Sequence, residues 1–150
     1  MGMKARKMGP VVEATVGYAA DRYGRGLAYI AIKRCRPYGG LALEAPLLLR
    51  ASFFVKRQPG LGGREVGYAA LAKAASLLSE RNVHRARFEI ADSELIADVA
   101  EHREVAPPLM LPYIKLGCAL NQFAEFHLEP GSTDDLTARA RAELALTLAA

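Results

Sequence analysis

The sequence predicts an α/β domain: a mixed sheet of about five strands, the first three of them antiparallel, with helices on both faces. Strand-like segments separated by turn residues occupy the chain up to about residue 56. From residue 64 onward, segments with apolar residues at helical spacing alternate with short strand-like segments. Because a strand that follows a helical crossover pairs parallel to an earlier strand, we expect the later strands to run parallel to the first.

The first three strands are predicted from residue types and from the turns between them. Residues 11–20 contain Val, Thr and Tyr in the pattern of a strand, and the turn residues DRYGRG lead to a second apolar run at 27–34. These two segments predict a hairpin. The apolar stretch 41–57 predicts one or two further strands, with Pro46 at an edge or a bend.

A helix, a strand and a short helix are predicted next. The helix runs from Arg64 to about Asn82, because its apolar residues recur at helical spacing. Residues 85–90 alternate strictly between apolar and charged side chains, which predicts a strand after the helix. Asp92 follows this strand, and a short helix is predicted from Ser93 onward. Asp92 is therefore placed to cap that helix, since Asp commonly satisfies the first free N–H groups.

The rest of the chain predicts a helix, a strand and a C-terminal helix. Pro112 is expected as the first residue of the helix, where its missing N–H does no harm. The buried face of that helix is predicted to consist of Tyr113, Leu116, Leu120 and Phe123. The segment AEFHL at 124–128 predicts the last strand. The C-terminal helix is predicted to begin with a cap and two acids, namely Ser132 or Thr133, then Asp134 and Asp135.

Length and composition predict one domain. With 150 residues, of which 51% are hydrophobic, the chain can bury one sizeable core. We expect a basic N-terminal tail at 1–10 and the folded domain at 11–150. No apolar run approaches the roughly 20 residues of a membrane span, and no apolar stretch of signal-peptide length follows the basic start. These features predict a soluble, cytoplasmic protein without a membrane partner.

The positive charge favours a nucleic-acid partner without requiring one. The net charge is +4 and the sequence pI is about 9.2. Short basic segments are typical either of a phosphate-binding surface or of solvated loops and helix ends. Tyr23 and Tyr38 lie among them and could stack on bases, although a tyrosine in a turn commonly only packs. The candidate contacts are expected to share one rim: Arg22, Arg25, Lys33, Arg34, Arg36 and Arg64.

Three segments and the order of the predicted elements carry a resemblance to a known family. The segments are GYAALAKAASLLSERNVHRARFEIADSELIADV at 67–99, LPYIKLGCALNQFAEFHLEP at 111–130 and DDLTARA at 134–140. From about Val11 to the C-terminal helix, the chain resembles the type 1 ribonuclease H family of the ribonuclease H-like superfamily. The resemblance implies the ribonuclease H-like fold, with the mixed sheet described above, and nucleic acid as the partner.

The chemistry of that family uses four carboxylates that hold two divalent cations near a scissile phosphate. Hard cations take oxygen ligands, and two of them stabilise the attacking and leaving oxygens of an in-line displacement. The acids come from the first strand, the first helix, the end of the fourth strand and the start of the last helix. The resemblance places Asp92 at the strand-end acid and Asp134 at the last-helix acid, with Asp135 as a near alternative. Asp92 and Asp134 are therefore the catalytic and metal-binding candidates.

The other two acids have no counterpart at the matching positions. The first-helix acid falls on Gly67, and Glu65, two positions away, points to a different side of the helix. The first-strand acid falls near Thr15 or Val16. Glu13 shares the strand face of Thr15 and is therefore a further candidate metal ligand. A carboxylate set that is incomplete in this way predicts vestigial or weak catalysis.

Three hypotheses for the function follow. The first is a nucleic-acid-binding domain with a degenerate active site, which binds RNA, single-stranded DNA or an RNA–DNA hybrid and needs no cofactor. The second is a metal-dependent nuclease of the ribonuclease H type that uses Mg or Mn through Asp92, Asp134 and displaced acids. The third is a scaffold, either a homodimer or a complex subunit, that pairs through the edge of the apolar strand segment 41–55. The scarcity of Asn and Gln beside abundant Ala and Arg fits either a thermophile or a GC-rich genome.

Overall fold

The computed structural model describes residues 9–35 and 47–149 of the chain. Its elements, in chain order, are strands β1 (Val11–Ala20), β2 (Arg25–Cys35) and β3 (Leu47–Phe54), helix α1 (Arg64–Glu80), strand β4 (Arg85–Ile90), helix α2 (Ser93–Ala100), a 3-10 turn (Pro107–Leu109), helix α3 (Met110–Leu120), strand β5 (Glu125–Pro130) and helix α4 (Asp134–Ala149). The predicted region before residue 47, with Pro46, Tyr38 and Arg36, lies outside the described residues.

The five strands form one mixed sheet in the order β3-β2-β1-β4-β5. β1 pairs antiparallel with β2 and β2 antiparallel with β3, whereas β4 pairs parallel with β1 and β5 parallel with β4. This arrangement confirms the predicted fold class. The interior position of β4 agrees with its strict alternation, in which Ala86, Phe88 and Ile90 are all buried.

Helices cover both faces of the sheet. The main core lies between the sheet and α1, and includes Val16, Ile30, Leu71 and Phe88, all 0% exposed. On the opposite face, α4 packs over β1 and β2, where Ala140 joins Leu27 and Tyr29 in a second cluster. Gly17 allows this close approach, because a Cβ there would stand 2.4 Å from the Cβ of Leu136.

Most helix ends follow their predictions. The first helix ends at Glu80, and Asn82 turns the chain with a left-handed φ of 63°. The Pro112 prediction was off by two residues, because α3 begins at Met110 after the 3-10 turn. Pro112 still lies in the first helical turn, where its N–H would have no partner. None of the described helices is long and apolar enough to cross a lipid bilayer.

Candidate functional site

The candidate site lies where β1 and β4 end side by side. These strands are parallel, with Thr15 level with Glu89, so their carboxyl ends meet at one edge of the sheet. Continuing this register by three residues places Tyr18 level with Asp92, which directly follows β4. Helix α1 passes beside both residues at Gly67. Three elements therefore build this place, which we call the Asp92 site: Tyr18 from β1, Gly67 from α1 and Asp92 from the end of β4.

The two carboxylate oxygens of Asp92 have different surroundings. Its Oδ1 accepts the backbone N–H of Leu95 at 3.1 Å, which caps α2. Its Oδ2 lies 3.3 Å from the position that a Cβ on Gly67 would occupy. The side chain is half-buried. Asp92 therefore caps the helix with one oxygen and presents the other to α1.

Gly67 is buried, and the space beside it is taken by Tyr18. The hydroxyl oxygen of Tyr18 lies 2.7 Å from the ideal Cβ position of residue 67, and a methyl group of Leu95 lies 3.3 Å from it. A side chain at residue 67 would have to displace the tip of Tyr18. The resemblance places an acid at this helix position, and the structure places Gly67 next to Asp92, where such an acid would point.

The surroundings of Tyr18 favour the neutral form of its phenol. Burial, and secondly the charge of Asp92, raise the pKa of the Tyr18 phenol to about 12. A phenol with this pKa remains protonated at neutral pH, so its oxygen offers no negative charge to a cation. At the Asp92 site a neutral hydroxyl and a glycine thus stand beside a single carboxylate.

The structure corrects the predicted position in the first strand. Val16 is fully buried in the core, and Thr15 lies on the opposite face of the sheet, where its hydroxyl is 3.5 Å from Glu89 Oε2. The β1 residue beside Asp92 is Tyr18. Its position follows from the two-residue repeat of a strand, since Tyr18 shares the α1 face with Val16.

Glu13 and Glu65 are engaged elsewhere. Glu13 is five residues before Tyr18 and on the other face of β1, where its carboxylate lies 3.3 Å from Arg87 Nη1. Glu65 is completely buried; its Oε2 accepts the backbone N–H of Gln58 and lies 3.7 Å from Arg57 Nε. The structure brings neither acid to Asp92.

Asp134 and Asp135 begin α4 at the same end of the sheet, with exposed side chains. The N–H of Gly131 donates to the carbonyl of Ile90 at 3.0 Å, which holds the start of this last segment beside the end of β4. Among residues 9–35 and 47–149, no three His, Cys, Asp or Glu side chains gather as a group that could hold a metal ion. The donors at the Asp92 site therefore do not fit a cage for two cations.

Sequence reasoning missed a buried ionic network between α1 and α2. Asp98 is 5% exposed and accepts hydrogen bonds from the Arg64 guanidinium and, at 2.5 Å, from the Tyr68 hydroxyl. Burial and the hydrogen bond to Asp98 raise the pKa of Tyr68 well above its usual value. Arg64 and Tyr68 lie four residues apart and so share a helix face. Arg64, a candidate nucleic-acid contact, is therefore also a partner of a buried carboxylate.

The turn between β1 and β2 displays Arg22 and Tyr23 beyond the same end of the sheet. Asp21 fixes the turn by accepting the N–H groups of Tyr23 and Arg25 at 2.8 and 3.0 Å, and it pairs with the Arg25 guanidinium at 2.9 Å. Arg57 donates to the Asp21 carbonyl at 2.8 Å. Tyr23 is 62% exposed, and the Arg22 guanidinium lies 4.8 Å from its ring centre. Asp21 thus anchors the turn, and the turn presents basic Arg22 and aromatic Tyr23 at its tip.

The predicted single basic rim is wrong. Lys33 lies level with Glu13 and Arg34 with Val12, at the amino end of β1, whereas the Arg22 turn follows its carboxyl end. Seven residues of extended strand separate Ala20 from Glu13, which corresponds to roughly 23 Å at about 3.3 Å per residue. Lys33 is exposed there. Arg36 lies outside the described residues.

Comparison with solved structures supports the fold. No protein-family model matches the chain, and no curated protein matches its sequence. A ribonuclease H1 structure from the archaeon Halobacterium salinarum is similar over 88% of this chain and 92% of its own, at 11% identity and a TM-score of 0.65. The N-terminal ribonuclease H domain of a Mycobacterium tuberculosis protein is similar over 93% and 99%, at 12% identity and a TM-score of 0.68.

A third similar structure contains a nucleic acid. It is LC11 ribonuclease H1 in complex with an RNA/DNA hybrid, similar over 87% of this chain and 91% of its own, at 12% identity and a TM-score of 0.61. In all three cases the likeness spans both chains almost completely. The chain therefore has the ribonuclease H-like fold.

Proposed function

We propose that this protein is a nucleic-acid-binding ribonuclease H-like domain whose active site is degenerate, so that it does not cleave an RNA–DNA hybrid. One observation carries the proposal: the space beside Asp92 is filled by the Tyr18 hydroxyl, which lies 2.7 Å from the Cβ position of Gly67. A protonated phenol from the first strand thus stands next to the strand-end acid, together with a glycine at the helix position where the resemblance implies a further carboxylate.

The binding half of the proposal rests on the carboxyl end of the sheet. The anchored tip with Arg22 and Tyr23 projects at that end, and such a tip suits a backbone phosphate and an unstacked base. LC11 ribonuclease H1, which shares the fold, was solved with an RNA/DNA hybrid. The net charge of +4 favours a polyanion. RNA, single-stranded DNA and hybrid are therefore the proposed partners, with Arg22 as the first contact to test.

The proposed lack of cleavage rests on the small number of carboxylate oxygens at the Asp92 site. Magnesium and manganese prefer carboxylate oxygens, and catalysis with two metals needs enough of them to hold both cations near one phosphate. At the Asp92 site only Oδ2 of Asp92 is free of the helix cap, while Asp134 lies at the same end of the sheet. The alternative, a metal-dependent nuclease, requires that displaced acids such as Glu13 move to Asp92, and Glu13 is paired with Arg87.

A fluorescence-anisotropy titration with labelled RNA, single-stranded DNA and hybrid tests the binding half. The logarithm of the affinity should fall linearly with the logarithm of the salt concentration, because phosphate contacts release condensed counterions. Arg22→Ala should reduce that slope by roughly 0.7 to 0.9, the value of one phosphate contact. Arg141→Ala, an exposed arginine on α4, is the matched control and should leave the slope unchanged. Absence of binding at low salt would reject this half.

A self-associating scaffold is the second candidate, and one observation favours it. β3 is an outer strand of the described sheet, and it exposes Leu47 and Leu48 at 53% and 38%. An outer strand with exposed leucines can pair with a second copy. Sedimentation velocity over a concentration series tests this candidate: a dimer that Leu48→Lys dissociates would support it, and a monomer at all concentrations would remove it.

A further inference from the structure

An open groove of about 610 Å³ lies beside α1, and its lining includes none of Tyr18, Gly67 and Asp92. Its lining comes from the end of β3 with the following segment, from helix α1, and from the 3-10 turn with α3. We call it the lysine groove. Its walls include Phe54, Lys56, Lys73, Leu111 and Lys115.

The surface of the lysine groove is largely apolar and exposed. Phe54 is 78% exposed and Leu111 is 60% exposed, and both line the groove. Further apolar residues line the groove: Phe53, Val55, Ala69, Ala72, Pro108, Pro112 and Ala119. A continuous apolar surface that water covers in the free protein commonly marks a site of protein–protein contact.

The charges around the groove have one sign. Lys56, Lys73 and Lys115 come from three different elements and all have exposed side chains. None of the described residues that line the groove is an Asp or a Glu. An occupant with carboxylates at its edges and apolar side chains at its centre would complement this surface in both charge and polarity.

The dimensions of the groove suit a short helix. Its lining follows α1 from Ala69 to Ser76 and α3 from Leu111 to Ala119. At about 1.5 Å per residue, these segments extend for roughly 10 to 12 Å, the length of about two helical turns. A helix docked in such a groove buries side chains at positions i, i+3, i+4 and i+7 and keeps its polar face in water.

We propose that the lysine groove docks an acidic amphipathic helix from a partner protein. The apolar face of that helix would rest on Phe54 and Leu111, and its flanking carboxylates would meet the three lysines. A protein helix suits the groove better than a nucleic acid does, because most of the apolar side chains that line it are aliphatic or proline, although Phe53, Phe54 and Tyr68 line it too. The N-terminal segment of this chain is not the occupant on grounds of charge, since MGMKARKM contains bases and no acid.

Fluorescence anisotropy with designed peptides tests this proposal on the full chain. The probe is a labelled peptide of about 12 residues, long enough for about three turns, with Leu at i, i+3, i+4 and i+7 and Glu at the flanking positions. A peptide of the same composition in scrambled order and a peptide with Lys in place of Glu are the controls. We expect saturable binding of the acidic amphipathic peptide alone. Equal binding of the scrambled peptide, or no binding at low salt, would overturn the proposal.

Substitutions at exposed positions locate the site without disturbing the core. Leu111→Ala should weaken peptide binding by roughly tenfold, the effect of losing one buried apolar contact. Lys56→Glu, Lys73→Glu and Lys115→Glu combined should weaken it by at least about a hundredfold, since like charges then face each other. Ile114→Ala, which is 54% exposed on the same helix but outside the groove, and Arg141→Glu on α4 are matched controls.

The outcomes separate this proposal from the proposed function. Circular dichroism spectra that match the unmodified protein will show that each variant is folded. If a labelled single-stranded oligonucleotide displaces the peptide, and the Leu111 and lysine variants lose both ligands together, the groove is a nucleic-acid site and the proposal is overturned. If only the peptide is lost while nucleic-acid binding persists, the proposal stands. If this proposal fails, the proposed nucleic-acid binding through Arg22 is not affected, since the test of Arg22 uses other residues and another ligand.

Discussion

The hydroxyl oxygen of Tyr18 lies 2.7 Å from the point where a Cβ on Gly67 would stand, which is closer than a real Cβ approaches another heavy atom. A side chain at residue 67 would therefore have to displace the tip of Tyr18. The same two residues flank the Oδ2 of Asp92.

The Tyr18–Gly67 relationship predicts a coupling between two substitutions. Gly67→Ala alone should destabilise the protein by about 1 kcal/mol, because overpacking outweighs the gain of roughly 0.5 to 1 kcal/mol from replacing a helical glycine. In a Tyr18→Phe background, where the hydroxyl is absent, the same change should be neutral or stabilising. A double-mutant cycle by urea denaturation measures the coupling. Additive effects of the two changes would contradict the geometry.

Asp92 should contribute to stability as a helix cap. Asp92→Ala removes the acceptor of the Leu95 N–H and should cost about 0.5 to 2 kcal/mol of unfolding free energy. Asp92→Asn keeps an acceptor oxygen and should cost much less. Chemical denaturation of both variants makes the comparison. Equal losses for Ala and Asn would show that the charge of Asp92, rather than its cap, matters to the fold.

Much of the fold was predictable from the sequence, because short-range periodicity encodes strands and helices. The alternation of 85–90 predicted β4, and the position of Asp92 before Ser93 predicted the cap. The place of Tyr18 was not predicted, because it depends on the parallel register between β1 and β4, which are some seventy residues apart in the chain. Periodicity places a residue on a face but does not fix its level along a neighbouring strand.

Other features of the site were missed for different reasons. The Arg64–Asp98 pair joins two helices, and no local pattern marks which carboxylate meets which guanidinium. The separation of Lys33 from Arg22, in contrast, follows from hairpin geometry alone: residues at a turn and residues at the open end of a long hairpin cannot share a rim.

The pKa of Tyr18 predicts a specific alkaline transition. Because the folded protein raises this pKa from 10.0 to about 12, Tyr18 contributes stability that is fully present below pH 10 and is lost as the pH rises through 12. Tyr18→Phe should remove one phenol from the late part of an ultraviolet titration. Asp92→Asn should lower the pKa of Tyr18 but leave it above its usual value, since burial is the larger cause. A Tyr18 that titrates with the exposed tyrosines would refute this burial.

Breaking the Asp98 network should cost more unfolding free energy than breaking an ion pair on the surface. Asp98→Ala leaves the Arg64 guanidinium and the Tyr68 hydroxyl without their shared acceptor and should cost about 2 to 3 kcal/mol, somewhat below the value for a fully buried pair because Arg64 is partly exposed. Arg103→Ala, which breaks exposed ion pairs on the surface, is the control and should cost under about 0.5 kcal/mol. Thermal or urea unfolding gives both values, and similar losses would mean that the network is not structural.

A time course with a labelled RNA–DNA hybrid distinguishes binding without cleavage from nuclease activity. The anisotropy of a labelled RNA–DNA hybrid is followed over time after the protein is added at low salt with Mg²⁺ or Mn²⁺. We expect the anisotropy to rise and then stay constant, because the hybrid is bound and remains intact, and we expect Asp92→Asn to give the same trace. An anisotropy that decays as fragments are released, with the decay abolished by Asp92→Asn, would contradict this expectation and establish a nuclease built on Asp92.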